Sequence, residues 1–124
     1  MKNKFVIIGA GSTHTPGILA VLAQRAEELK LGELCLHDID EGRVYHMGEF
    51  NRIYMEEHCP QIKTSWTTNL REALEGANYV FVQIRPGRNE QRSLDEHTCY
   101  KHGLIGQETC GLGGFSFALR TIPA

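Results

Sequence analysis

Apolar residues gather in short runs along the chain, and a longer, more polar stretch separates each run from the next. Phe5-Val6-Ile7-Ile8 is the first run and predicts a buried strand. Ile18-Leu19-Ala20-Val21-Leu22-Ala23 then opens a helix expected over residues 16–30, with Pro16 suited to its first turn and Thr15 to its cap. Glu33-Leu34-Cys35-Leu36-His37 predicts a second strand. Residues 41–58 predict a polar helix that packs through Val44, Met47, Ile53 and Tyr54 and ends at Cys59-Pro60. The β-branched stretch 62–68 predicts a third strand, at an edge. Residues 70–74 predict a short helix capped by Asn69 and stopped by Gly76. Residues 78–84 are almost continuously apolar and predict a fourth strand buried on both faces.

This alternation of strands and helices predicts the α/β class, a Rossmann-like open parallel sheet with helices on both faces. Strand one is expected beside strand four. Four strands are about half of a doubly wound sheet, so the fold is expected to be truncated. No internal repeat, linker or low-complexity segment interrupts the chain, and residues 1–124 are expected to form one domain.

The turn between the first strand and helix is Gly9-Ala10-Gly11-Ser12-Thr13-His14-Thr15-Pro16. Strand, glycine turn and helix in that order make a site for a dinucleotide pyrophosphate. Gly9 permits the turn, Gly11 allows close backbone approach, and the helix N-terminus supplies N–H groups and a positive dipole end. Position 14, where a third glycine usually falls, holds His14. The second half of this fingerprint is an acid at the end of the second strand. Asp38 fits, accepting hydrogen bonds from ribose hydroxyls and opposing a 2′-phosphate, while Asp40 is expected to cap the next helix.

Composition narrows the function classes. The chain is 41% hydrophobic and 23% charged with a formal net charge of -2, which implies no basic face, so nucleic acid is not an expected partner. No apolar run approaches a membrane span, and Met1-Lys2-Asn3-Lys4 leads straight into a strand, so a cytoplasmic protein is expected. Cys35, Cys59, Cys99 and Cys110 lie far apart and form no C-x-x-C pair, so no zinc site is signalled. Cys35 is expected to be a buried thiol and Cys110 a small packing residue.

Beyond Arg85-Pro86-Gly87-Arg88 the character changes. Arg92, Asp95, Glu96, His97, Lys101 and His102 read as a charged surface helix, and residues 103–115 as a glycine-rich loop. Such a loop, holding Gln107, Glu108 and Thr109 at the carboxyl edge of a parallel sheet, is a candidate substrate site.

These stretches resemble glycoside hydrolase family 4. The likeness is carried by Gly-Ala-Gly-Ser-x-x-Thr-Pro at 9–16, Asp38-Ile39-Asp40, Ile84-Arg85-x-Gly87 and Arg92-x-x-Asp95-Glu96. It continues through Gly103-Leu104-Ile105-Gly106-Gln107-Glu108-Thr109-Cys110-Gly111-x-Gly113-Gly114-Phe115 and Ala118-Leu119-Arg120-Thr121-Ile122-Pro123. The Arg92 stretch looks most like the 6-phospho-glucosidases, and Leu-Arg-Thr-Ile-Pro leans to the 6-phospho-β-glucosidase type. The resemblance implies an NAD-dependent hydrolase in which C3 of the sugar is oxidised, the C2 proton is removed and the C1 leaving group is eliminated. Water then adds and the hydride returns, with a divalent metal, typically Mn²⁺, assisting.

It further implies Gly9, Gly11, Ser12, Thr13, Asp38 and Ile84 on the cofactor side, and Arg92 and Glu108 on the sugar-phosphate side. Arg88 departs from the family pattern, which has a glycine or small residue there. The family's metal ligands and tyrosine base fall beyond position 124, so no catalytic or metal-binding residue is assigned within the chain. Cys110 is not promoted to a metal ligand. The chain thus looks like the amino-terminal, NAD-binding part of a longer enzyme, and it is expected to be inactive alone. A phosphorylated disaccharide or glucoside is the implied substrate, and a homo-oligomer is expected. Two other readings compete: a stand-alone nucleotide-binding module, and a relative of the 2-hydroxy acid dehydrogenases.

Overall fold

A computed structural model describes residues 2–108 and 110–123. The chain forms two compact units, Met1–Ile84 and Arg85–Ala124. The first holds β1 (Asn3–Ile8), α1 (Thr15–Gln24), β2 (Leu31–His37), α2 (Glu41–His58), β3 (Lys63–Thr67), α3 (Leu70–Leu74) and β4 (Tyr79–Val82). The second holds α4 (Arg88–Lys101) and α5 (Gly111–Thr121).

The four strands form one sheet in the order β3-β2-β1-β4, every pair parallel. β3 is therefore at an edge and β1 lies beside β4, both as expected. Strand alternation sends side chains to two faces. Ile7, Leu34 and Leu36 join Leu19 and Leu22 of α1 and Val44 and Met55 of α2 in the larger core. Val6 and Cys35 face the other way and pack with Ala73 of α3. Helices thus cover both faces. Full burial of a side chain such as Leu34 or Leu36 of β2 is worth about 1.5–3 kcal/mol.

Several sequence-based expectations need correction. α1 ends at Gln24 rather than Lys30; turns lead through Lys30, at φ 50°, into a β2 that begins at Leu31. On α2 the buried line is Val44, Gly48, Asn51 and Met55, whereas Ile53 is 56% exposed. The absent side chain of Gly48 lets the helix seat against the ring of Trp66, and that contact fixes which face turns inward. β4 is not buried on both faces: Tyr79, Val80, Phe81 and Val82 are all exposed, because this strand pairs only with β1 and forms the outer edge of the sheet. The glycine-rich loop is shorter than expected, since Gly111–Thr121 is helical. Gly113 of this helix is buried directly against the Gln107 backbone, where a side chain would not fit.

Candidate functional site

The first candidate lies wholly in unit 1. β1 is followed by Gly9, whose φ of +81° and whose approach to the residue after β4 both require glycine; a Cβ there would stand 2.6 Å from the Gln83 carbonyl oxygen. The Gly9 and Ala10 N–H groups both donate to the His37 carbonyl at 2.9 Å, tying the turn to the end of β2. Gly11 N–H donates to Asp38 Oδ2 at 2.9 Å, and Asp40 N–H donates to Asp38 Oδ1 at 3.0 Å. Each carboxylate oxygen keeps a further acceptor position. A Cβ on Gly11 would fall 2.8 Å from Asp38 Oδ2, so the bare Cα makes room for the carboxylate. Asp40 caps α2, its Oδ1 accepting from Arg43 N–H at 3.1 Å.

The other turn residues take different places. Ser12 N–H donates to the Gly9 carbonyl at 3.2 Å and Ser12 Oγ accepts from His14 N–H at 3.2 Å. Thr13 is exposed on the turn. Ile84 follows β4 by two residues and is 39% exposed.

Thr15 does not cap α1. His14 occupies the cap position, without a side-chain bond to the helix. The Thr15 side chain, fully buried, points back into the turn: Oγ1 donates to the Ala10 carbonyl at 2.7 Å and accepts from Gln83 Nε2 at 2.8 Å. Gln83, which sequence reasoning passed over as part of a strand, thereby fastens the end of β4 to the glycine turn. Its only sequence signal is a polar residue inside an apolar run. Thr15→Val is expected to lower stability by about 1–3 kcal/mol, since it leaves two polar groups unpaired, with Thr15→Ser close to wild type. Urea unfolding checks this, and an unchanged midpoint for the valine variant would mean that the hydroxyl fastens nothing.

The second candidate lies wholly in unit 2. The chain enters α4 through Gly87 at φ +82° and Arg88 at φ 57°, two left-handed residues in succession. An arginine in that region is sterically costly. On α4, Arg92 Nε donates to Glu96 Oε1 at 2.8 Å, and Arg92 Nη1 lies 3.3 Å from Glu108 Oε2. Arg85 Nη2 donates to Glu108 Oε1 at 2.6 Å and Arg85 Nη1 to Asn89 Oδ1 at 2.8 Å. Arg92 and Glu108, predicted as site residues, are thus brought into contact. The Glu96 hydrogen bond, and then the charge of Glu108, hold the Arg92 guanidinium above its ordinary pKa. Two planar guanidinium groups on one surface suit an oxyanion, which would take over donors that Glu108 and Glu96 now hold.

Behind this cluster Asp95 is buried and paired bidentately with Arg120 of α5, at 3.2 and 2.7 Å. Hydrogen bonding by Arg120 lowers the Asp95 pKa against the opposing effect of burial, and Gln91 adds a further lowering bond. Because the folded pKa lies below the unfolded one, the stability this pair contributes is present above about pH 4. It is lost as pH falls through the depressed folded value. Cys110, expected as a packing residue, is exposed, with Sγ donating to Gln107 Oε1. Thr109 lies outside the described residues. Among the described residues no three His, Cys, Asp or Glu side chains converge to hold a metal ion, and no helix is long and apolar enough to cross a membrane.

A four-stranded parallel sheet with helices on both faces, a glycine turn after β1 and an acid after β2 define a Rossmann-like α/β protein. Residues 4–124 match the model of the family 4 glycosyl hydrolases, and the chain belongs to that family. It is 40% identical over 124 residues to the phospho-α-glucosidase PagL of Clostridium acetobutylicum, a match that covers 99% of this chain and 28% of PagL. A crystal structure of a 6-phospho-α-glucosidase from gut microorganisms, in complex with NAD and Mn²⁺, superposes with a TM-score of 0.92 at 40% identity. That match covers 98% of this chain and 28% of the other. The 6-phospho-β-glucosidase of Thermotoga maritima, with manganese, NAD⁺ and glucose 6-phosphate, gives 0.91 at 36% identity over 98% of this chain and 29% of the other. The chain therefore spans well under a third of the length of these relatives. Malate dehydrogenase from Plasmodium falciparum, at 19% identity and a TM-score of 0.50, shares the fold alone, over 78% of this chain and 33% of the other.

Proposed function

We propose that this chain forms the NAD site and part of the sugar-phosphate site of a family 4 hydrolase acting on 6-phospho-glucosides. The observation that carries the reading is the Asp38 carboxylate held 2.9 Å from Gly11 N–H in a chain of this family. The turn fits the cofactor. Gly9, Gly11, Ser12 and Thr13 shape the turn that would receive a pyrophosphate at the N-terminus of α1, where no side chain caps the helix, and Asp38 keeps acceptor capacity for ribose hydroxyls. Ile84, partly exposed two residues beyond β4, supplies apolar surface on the cofactor side. NAD⁺, when bound, accepts and returns the hydride at sugar C3, chemistry that side chains cannot supply.

In unit 2, Arg92 binds the 6-phosphate through its planar fork, and Glu108 holds that fork in register while facing the sugar. Mn²⁺ belongs to the complete enzyme. Among the described residues no cluster of three metal-ligating side chains is formed. The relatives include both α- and β-enzymes. The Leu119-Arg120-Thr121-Ile122-Pro123 run supports the β-linkage. Paired assays of the complete gene product on 4-nitrophenyl α- and β-6-phosphoglucosides test it: turnover of the α-substrate alone would reverse the assignment, and turnover of neither would remove the activity. The dehydrogenase reading gains nothing from the malate dehydrogenase likeness, which is one of fold. We place the complete enzyme in the cytoplasm as a homo-oligomer.

Cofactor choice follows from Asp38. A carboxylate at the end of β2 pairs with free hydroxyls and repels a 2′-phosphate. Titration calorimetry on the complete gene product is expected to give tighter binding of NAD⁺ than NADP⁺, with Asp38→Ala narrowing the gap. Equal affinities for the two cofactors, or no change on substitution, would remove Asp38 from the site.

A further inference from the structure

We propose that Arg120 is a positioning residue for Arg92, acting through Asp95 on the same helix; the proposal rests on the reading of Arg92 as the sugar-phosphate ligand. One guanidinium makes three directed bonds. Nε donates to the Pro86 carbonyl at 2.7 Å, Nη1 to Asp95 Oδ1 at 3.2 Å and Nη2 to Asp95 Oδ2 at 2.7 Å. Arg120 also lies over the Phe117 ring, at 5.7 Å from its centroid, one turn earlier on α5. Arg120 Nε also comes close to Gly87, although a Cβ there would first meet Gln91 Cβ, at 2.6 Å.

The two anchored points are those that set Arg92. Asp95 follows Arg92 by three residues, so both lie on neighbouring positions of one helical face. Fixing the Asp95 carboxylate fixes the rotation of α4 about its own axis at the turn that carries Arg92. Pro86 lies between Gly87, the residue that leads into α4, and Arg85, whose guanidinium grips the Glu108 carboxylate that Arg92 also contacts. The Arg120 side chain thus holds both segments that carry the Glu108-binding arginines. Asp95 is 8% exposed, so water does little to loosen the pair. Lysine cannot replace it, because a point charge cannot serve a bidentate carboxylate and a separate carbonyl at once.

The test uses the complete gene product, with calorimetric affinity for glucose 6-phosphate as the first readout and affinity for NAD⁺ as the second. Arg120→Lys and Asp95→Asn are each expected to weaken glucose 6-phosphate about ten- to a hundredfold, the scale of a small misplacement of a binding group, with NAD⁺ affinity unchanged. In an Arg92→Ala background the Arg120→Lys effect is expected to vanish, because the clamp then has nothing to position. Additive losses in that double variant, or parallel loss of NAD⁺ and glucose 6-phosphate, would overturn the proposal. So would wild-type affinity in both single variants. Should Arg120→Lys melt below assay temperature, Asp95→Asn carries the same cycle, since it removes the charge and keeps an acceptor. If Arg92→Ala alone leaves glucose 6-phosphate affinity intact, the substrate reading itself fails and the clamp falls with it, a result distinct from an Arg92 effect without an Arg120 effect.

Discussion

The complete gene product carrying Arg92→Ala is expected to show a KM for 6-phosphoglucosides raised by roughly a hundredfold or more, the scale of a lost charge-assisted contact. Two effects act in the same direction. The substitution removes the planar donors that would meet the phosphate oxygens. It also frees Glu96, held at 2.8 Å, and leaves Glu108 to Arg85 alone, so that more uncompensated negative charge faces an incoming dianion. Arg92→Lys is expected to restore only part of the affinity, because an ammonium neutralises charge but cannot span two acceptors. Turnover of a nonphosphorylated glucoside, however slow, should change little. The Arg92 side chain is half-exposed, so its loss should leave the thermal midpoint near that of the wild type. Wild-type kinetics on a 6-phosphoglucoside would return Arg92 to the role of a surface ion pair.

A polypeptide restricted to residues 1–124 is expected to release no aglycone from 4-nitrophenyl 6-phosphoglucosides, even with NAD⁺, Mn²⁺ and reductant. The family resemblance assigns the metal ligands and the tyrosine base to positions past 124. Without a base, the C2 proton stays in place; oxidation at C3 alone stalls at a ketone and expels nothing. The same polypeptide is expected to bind NAD⁺ weakly and to self-associate. β4 is the outer strand of the sheet, paired on one side, with Tyr79, Val80, Phe81 and Val82 each 41–56% exposed. An unpaired apolar strand edge recruits other chains. Light scattering checks the mass and the chromogenic assay checks the chemistry. Metal-dependent turnover would place the catalytic groups within these residues, and a stable monomer would refute the argument from the open edge.

Much of unit 1 was legible because local chemistry and tertiary need agree there. The apolar run 5–8 could only be a buried strand, and a glycine turn followed by Pro16 could only open a helix. Asn69 capping α3 and Asp40 capping α2 obey a rule that acts within one turn. Legibility fell where a residue's partner is distant in sequence. Thr15 had the right identity and position for a cap, yet the Ala10 carbonyl and the Gln83 amide, the latter 68 residues away, drew its hydroxyl inward. Val44 is buried as hydropathy implies, but Met55 is buried and Ile53 exposed against it, because Gly48 against Trp66 sets the rotation of α2 and hydropathy does not.

The sequence by itself determined the order of elements, the parallel sheet, the two-faced core and the family, since each follows from short-range pattern or from a contiguous motif. Only the tertiary structure decided that Asp38 and Gly11 meet, that Glu108 lies between two arginines, and that residues 111–121 are a helix rather than a loop. The physical reason is the same in each case. A side chain's partner is chosen by what the fold brings within about 3 Å of it, and that distance is a property of packed elements, which no local run of residues encodes.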